Sequence, residues 1–192
     1  MSAAPGRPQA SSHRSSQSEG TPVSGVGLLP EAVQRVAAAL RAADHPHQPI
    51  LLDGAARTAQ QAADALGVAL GQIAKSIVFR RGSDGVAVLV VTSGDRRVDE
   101  HKVAVLVCAG GERLGRADAG FVKAATGFSI GGVSPLAHAR PCVTLIDREL
   151  FRFAEIWAAA GHPHAVFRLT PAELQGLTGA PVCDVVDIVA AA

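Results

Sequence analysis

Six stretches of this sequence carry residue types that can do chemistry. Lys75 heads an apolar run, Lys75-Ser76-Ile77-Val78-Phe79-Arg80, directly after Gly71-Gln72-Ile73-Ala74. An ammonium held at a strand end is a compact point charge suited to a phosphate or a developing oxyanion. Gly131-Gly132-Val133-Ser134-Pro135 reads as a loop whose glycines let backbone approach a ligand and whose proline stiffens the exit. Gly127-Phe128-Ser129-Ile130-Gly131 matches the five-residue pattern of a serine nucleophile elbow, with Ser129 as nucleophile. That elbow needs a strand before it and a helix after it, whereas here a helical pattern precedes and a glycine loop follows. His45-Pro46-His47 and His162-Pro163-His164 each set two imidazoles two residues apart. Such pairs can share a metal on an extended segment, but no thiol or carboxylate stands at a recognised spacing, so they read as loop histidines and no metal is expected. Gly110-Gly111-Glu112-Arg113-Leu114-Gly115 lacks the register of a dinucleotide fingerprint and follows a helix, so no nucleotide cofactor is expected. Taken singly, a strand-end lysine is an ordinary solvated charge and a Gly-Gly-x-Ser-Pro loop an ordinary turn.

The elements that must position these residues are marked by regular punctuation. Pro30 suits the first turn of a helix whose apolar positions Val33, Val36, Ala37 and Leu40 follow helical spacing. Thr58-Ala59-Gln60-Gln61 is a capping box for a second helix closed by Gly67. Gly82-Ser83-Asp84-Gly85 separates Lys75–Arg80 from Val86–Val91, which predicts a hairpin. Asp99 caps a helix running to Cys108, and Asp118 caps another to Thr126 that stops at Gly127. Val143–Ile146 and Ala165–Leu169 read as buried strands, and Thr170-Pro171-Ala172-Glu173 opens a last helix that ends at Gly179. Helices and hairpins alternate irregularly, without the rhythm of a doubly wound fold. The expected fold class is a single mixed α/β domain with a substantially antiparallel sheet and helices packed around it. Residues 1–25, rich in Ser, Pro and Gly, bury almost nothing and are expected to be a disordered tail, leaving 26–192 as the domain.

Composition narrows the function further. Of 192 residues, 36 are Ala and 22 are Val, so the core is built from small and β-branched side chains. Lys+Arg 18 against Asp+Glu 17 gives a net charge of +1, which excludes a global positive field for holding nucleic acid non-specifically. Any polyanion contact must be local; Arg80, Arg81, Arg96, Arg97, Lys102 and Lys123 are the residues that could form it. No apolar run approaches the length of a membrane span, and residues 1–25 lack the apolar stretch of a secretory signal. Cys108, Cys142 and Cys183 form no CxxC pair, which points to a reducing cytoplasm rather than a disulfide framework.

Read together, three segments are far more specific than any one of them. Ala74-Lys75-Ser76-Ile77-Val78-Phe79, then Ala125-Thr126-Gly127-Phe128-Ser129-Ile130-Gly131-Gly132-Val133-Ser134-Pro135-Leu136, then Thr144-Leu145-Ile146-Asp147 resemble, in that order, the YbaK-type aminoacyl-tRNA deacylases. These are freestanding relatives of the editing domain inserted in bacterial prolyl-tRNA synthetases. The resemblance runs from about residue 30 to the C-terminus, with Ala158-Ala159-Ala160-Gly161 and Leu177-Thr178-Gly179-Ala180 as further landmarks. It implies a largely antiparallel, barrel-like sheet surrounded by helices. It also implies hydrolysis of the ester joining a wrong amino acid to the terminal ribose of tRNA, in trans to the synthetase, with no cofactor. The partners it implies are the aminoacyl-tRNA acceptor end and a synthetase, and the substrates small residues such as Cys, Ala, Ser or Thr. Lys75 matches the family's functional lysine, and Gly131 to Pro135 match its Gly-x-x-x-Pro loop. On this reading Lys75 clamps the terminal phosphate or the amino-acid end, and the backbones of Gly131 and Gly132 align the carbonyl. Ser76 assists Lys75, while Ser134, Pro135 and Asp147 shape the pocket. Two alternatives stay open at this point: a non-catalytic module binding tRNA or a synthetase on the same fold, and a serine hydrolase using Ser129.

Overall fold

Small and β-branched residues let helices lie close on a sheet, and the computed structural model, which describes residue 1, residues 29–52 and residues 58–187, has that arrangement. The expected tail lies outside the described residues. Helix α1 (Glu31–Ala42), strand β1 (Ile50–Leu51), α2 (Ala59–Leu66), β2 (Ile73–Arg81), β3 (Ala87–Ser93) and α3 (Glu100–Val107) form the first half. Then come β4 (Leu114–Arg116), α4 (Ala119–Thr126), β5 (Val143–Asp147), β6 (Ile156–Ala159), β7 (Ala165–Leu169), α5 (Pro171–Thr178) and β8 (Val182–Cys183).

Local chemistry sets the helix ends. Thr58 Oγ1 accepts from Gln61 N (3.2 Å) while the Gln61 side chain accepts from Thr58 N (3.1 Å), and Gly67 closes α2 with φ +66°. Thr170 and Glu173 repeat the reciprocal cap at α5, with Pro171 in its first turn and Gly179 left-handed at its end. Asp99 and Asp118 cap α3 and α4 through their carboxylates. Each such cap contributes about 1 kcal/mol. Along α1 the buried residues are Val33, Val36, Ala37 and Leu40, the stripe read from the spacing.

The strands pair in the order β1-β7-β6-β2-β3-β5-β8, with β4 added alongside β2. β1/β7, β2/β3, β2/β4 and β6/β7 run antiparallel; β2/β6, β3/β5 and β5/β8 run parallel. The mixed, largely antiparallel sheet expected from the sequence is present, but it is open: among the described residues no ladder joins β1 to β8. Both terminal strands are two residues long and pair over two positions each, too little edge to close a barrel. Every residue of β3 is buried, because the sheet is covered on both faces at its centre. On one face α1 and α5 pack over Leu89, Val91, Phe128 and Phe167; on the other Val103 of α3 packs over Val88, Val90 and Leu145. A smaller cluster under α2 joins Ala62 and Ala63 to Ile73 and Val166.

One irregularity of the sheet places the site. The β2/β6 ladder covers Ile73 and Ala74, and the β2/β4 ladder covers Phe79, Arg80 and Arg81. Between them, Lys75 to Val78 have no partner strand on that edge among the described residues, and the sheet splits open there.

Candidate active site

Strand β2 forms the central wall. Alternation puts Ile73, Lys75 and Ile77 on one face and Ala74, Ser76 and Val78 on the other, where Ala74 and Val78 join the main core. Lys75 is paired with Thr92, so the two share a face. Just past β3 the chain bends through Gly94, Asp95 and Arg96. The Lys75 ammonium donates to the carbonyl oxygens of Gly94 (3.3 Å) and Arg96 (2.7 Å). Two of its three protons are thereby directed, and one is left for a ligand. Burial pushes the Lys75 pKa below its ordinary value, and the carboxylates of Asp95 and Asp147 pull it partly back. A Cβ at Gly94 would run into the carbonyl oxygen of Leu70, so glycine is what lets this bend pass close enough to receive the lysine.

Asp147 stands behind that bend rather than in a ligand cavity beside Lys75. It is wholly buried; Oδ2 accepts from Thr92 Oγ1 (2.8 Å) and Ser93 N (3.2 Å), and Oδ1 accepts from Glu149 N (2.9 Å). It ties the end of β5 to the end of β3 and starts the 3-10 turn Arg148–Arg152. Ion pairs close the bend from outside: Arg152 Nη2 with Asp95 Oδ1 at 2.9 Å and Arg96 Nη2 with Glu149 Oε2 at 2.9 Å. Burial opposes the Asp95 charge, yet hydrogen bonds from the Ser93 hydroxyl and Arg152 hold that carboxyl below its usual range.

The glycine loop faces β2 across the split. Gly131, at φ +87°, is exposed and turns its backbone to the gap. Gly132 is buried; a Cβ there would sit 2.8 Å from His162 Cα, and its N–H is already engaged with the Ser129 carbonyl (2.9 Å). Ser134 and Pro135 are buried in the loop. The Ser134 hydroxyl accepts from Leu136 N (3.4 Å), and its carbonyl accepts from His138 Nε2 (2.8 Å). Arg35 of α1 braces the same loop. Its Nε donates to Ala137 O (2.9 Å), its Nη2 to Thr126 O (3.3 Å), and its guanidinium lies 4.4 Å from the Phe128 ring centre.

Between wall and loop lies a cavity of about 270 Å³. Lys75, Ser76 and Gly131 all line it, so three of the seven residues expected at the site come together. Gly132, Ser134 and Pro135 shape the loop from behind, and Asp147 supports the bend that holds Lys75. Ser76 Oγ is buried and has no hydrogen-bond partner among the described residues, a polar atom that a ligand would satisfy. Apart from Thr58, the remaining described walls are apolar, among them Ile73, Trp157 and Val166 from the sheet, Ala62 from α2, and Ile130, Val133 and Pro163 from loops. Sequence reading missed Trp157 and Pro163. The signals were a lone tryptophan beside the Ala158–Gly161 landmark and a proline set between the histidines of the second His-Pro-His.

Other candidates fall elsewhere. Ser129 is exposed, preceded by α4 and followed by a turn, so the strand–serine–helix geometry of an elbow is absent. His47 Nε2 accepts from Arg168 Nη2 (3.2 Å), and His45 packs edge-on to Phe167. A roomier hollow of about 690 Å³ between α3 and the segment entering β4 contains none of the expected residues.

Comparison with known proteins bears directly on this cavity. The profile of the aminoacyl-tRNA editing domain matches residues 53–177, a span that holds Lys75, the glycine loop and every strand around the split. The chain belongs to this family. A Bacillus subtilis relative, the uncharacterised protein YwhH, is 36% identical over 117 residues, covering 61% of this chain and 72% of its own length. An Enterococcus faecalis protein, EbsC, named as a candidate Cys-tRNA(Pro)/Cys-tRNA(Cys) deacylase, is 25% identical over 128 residues, 67% of this chain and 76% of its own. A crystal structure described as a candidate trans-editing enzyme for prolyl-tRNA synthetase is 41% identical with a TM-score of 0.76, covering 83% of this chain and 99% of that one. The protein is an enzyme of the aminoacyl-tRNA deacylase class. Among the described residues no helix is long and apolar enough to cross a membrane.

Proposed function

We propose that this editing-family chain hydrolyses the ester between a small misattached amino acid and the terminal ribose of tRNA, in trans to the synthetase and in the cytoplasm. The observation that carries the reading is that a pre-oriented ammonium, an unsatisfied hydroxyl and a bare glycine backbone converge on one small, mostly apolar cavity. An aminoacyl ester is already activated, so holding it against a water and stabilising charge on its carbonyl oxygen is sufficient chemistry. The water oxygen adds to the carbonyl carbon, the bond to the ribose oxygen breaks, and that oxygen takes up a proton. Lys75 clamps the terminal phosphate or the amino-acid end of the substrate. Ser76 donates to the substrate, and the Gly131 backbone lies along the aminoacyl group.

Size argues for the substrate class. A cavity of about 270 Å³ with mostly apolar walls suits a compact aminoacyl group such as Cys, Ala, Ser or Thr. Discrimination within that set by one small group yields only about 1–3 kcal/mol, so more than one of the four is expected to be cleared. The name of EbsC, which specifies Cys, agrees with this class. Net charge is close to zero, so the acceptor end rather than the tRNA body is the bound part, with a synthetase as the partner that delivers it. The test is a panel of tRNAs charged with Cys, Ala, Ser, Thr and, as a bulky control, Phe, scored for loss of the ester. Turnover of small esters with Phe spared supports the reading; binding without turnover of any ester identifies a non-catalytic module instead.

A further inference from the structure

Two hollows meet at Lys75. The first is the aminoacyl cavity described above. The second, about 350 Å³, continues along the same strand: Lys75, Ile77 and Phe79 form its floor, with Arg97 and Val98 on one side and Arg116 on the other. Arg116 of β4 is paired with Phe79, so its side chain rises from the face that carries Ile77 and Lys75. Three cations thus line this hollow, and Glu100 is the one acid in its lining among the described residues.

These cations are available to a ligand. Of the six basic residues that the sequence offered as a local patch, Arg81 is paired with Asp84, Arg96 with Glu149 and Lys102 with Asp184. Lys123 is turned back onto the Gly127 carbonyl, and Arg80 lies over the Phe121 ring. Arg97 remains, and Arg116, which the sequence did not single out, joins it. Both are exposed, and neither side chain has an ion pair or hydrogen bond among the described residues. A free guanidinium presents a fork of donors that matches phosphate oxygens, while Ile77 and Val98 offer apolar contact to a sugar or base.

We propose that the second hollow is a phosphodiester subsite for the single-stranded 3′ end of the RNA, with Arg97 and Arg116 on the backbone phosphates. The proposal rests on the reading of the first cavity as the aminoacyl site: an ester seated there has its nearest phosphodiester one nucleoside away, across Lys75. It accounts for how a nearly neutral protein holds a polyanion with a few local charges.

The experiment uses a fluorescent single-stranded RNA ending in CCA and carrying no amino acid, bound by the full chain at several salt concentrations. The double variant Arg97→Gln/Arg116→Gln is compared with wild type and with Arg113→Gln/Arg140→Gln, which removes equal charge from exposed positions outside this hollow. The expected result is roughly tenfold weaker binding by the first variant, with a log–log salt slope shallower by about 1.4 for two single-strand phosphate contacts. In deacylation the same variant raises KM and leaves kcat near wild type. Equal loss in both double variants, or wild-type affinity and slope in Arg97→Gln/Arg116→Gln, overturns the subsite. A wild-type protein that clears no mischarged tRNA overturns the functional reading instead, and RNA binding still decides the hollow on its own.

Discussion

At Lys75, geometry and charge make a joint statement about pH. Burial holds its pKa below the ordinary 10.5 despite Asp95 and Asp147, so the ammonium loses its proton earlier than a solvated lysine as pH rises. Activity that depends on the charged form therefore falls through an alkaline limb below 10.5, after subtraction of uncatalysed ester hydrolysis. Lys75→Arg keeps the charge and moves that limb out of range, but a planar fork does not fit between the Gly94 and Arg96 carbonyls as a tetrahedral ammonium does, so kcat stays well below wild type. A limb unchanged in Lys75→Arg assigns it to another group. Gly132 makes a different kind of demand. A Cβ at 2.8 Å from the His162 backbone forces the loop or the His162 segment to shift, and a 1 Å displacement costs on the order of 100-fold in rate. Gly132→Ala is expected to lower kcat/KM by about that factor with the fold retained by circular dichroism; near-normal kinetics would mean the loop's position is immaterial.

The elements earn their place by what they hold still. Helix α1 reaches the glycine loop through Arg35, which joins Ala137 O, Thr126 O and the Phe128 ring, while His138 holds the Ser134 carbonyl. Arg35→Ala is expected to cost about 1–3 kcal/mol of stability for its charged hydrogen bonds and to lower kcat at a temperature where the variant is fully folded. Arg35→Lys, without the fork, does not restore the rate; if it does, the residue acts by charge alone. His138 adds an acid-side signature. Burial lowers its pKa, the Ser134 carbonyl opposes this, and Arg35 adds to the lowering. Its contribution to stability is present above about pH 6.5, the ordinary histidine value, and is lost as pH falls through the lowered value, so His138→Gln flattens the thermal-stability profile below pH 6.5. At the far end of the sheet, Asp147→Ala strands the Thr92 hydroxyl and the Ser93 and Glu149 amides. At about 1–3 kcal/mol per unsatisfied buried group, this variant is expected to lose several kcal/mol in denaturant titration, far more than Lys75→Ala.

Over the whole molecule, what the sequence made legible was local. Thr58, Gly67, Thr170, Pro171 and Gly179 mark their helix ends because a cap depends on a few adjacent residues, and all lie where the punctuation put them. The three parallel pairings, the two-residue strands β1 and β8, and the open sheet were not legible, since they depend on contacts between distant segments that leave no periodic trace. The site shows the same division. Lys75, Ser76 and Gly131, singled out by type and order, line one cavity, whereas Asp147 lies behind the Lys75 bend, and Trp157, Pro163 and Arg116 became visible only once β4, β6 and the His162 turn were placed. Ester hydrolysis at this site depends on one convergence, an ammonium fixed by two backbone carbonyls beside a glycine loop. Single-turnover deacylation of a small mischarged tRNA by wild type and Lys75→Ala, at matched secondary structure and melting temperature, tests it most directly. The expected outcome is loss of nearly all ester hydrolysis in the variant. Wild-type clearance by Lys75→Ala would contradict it.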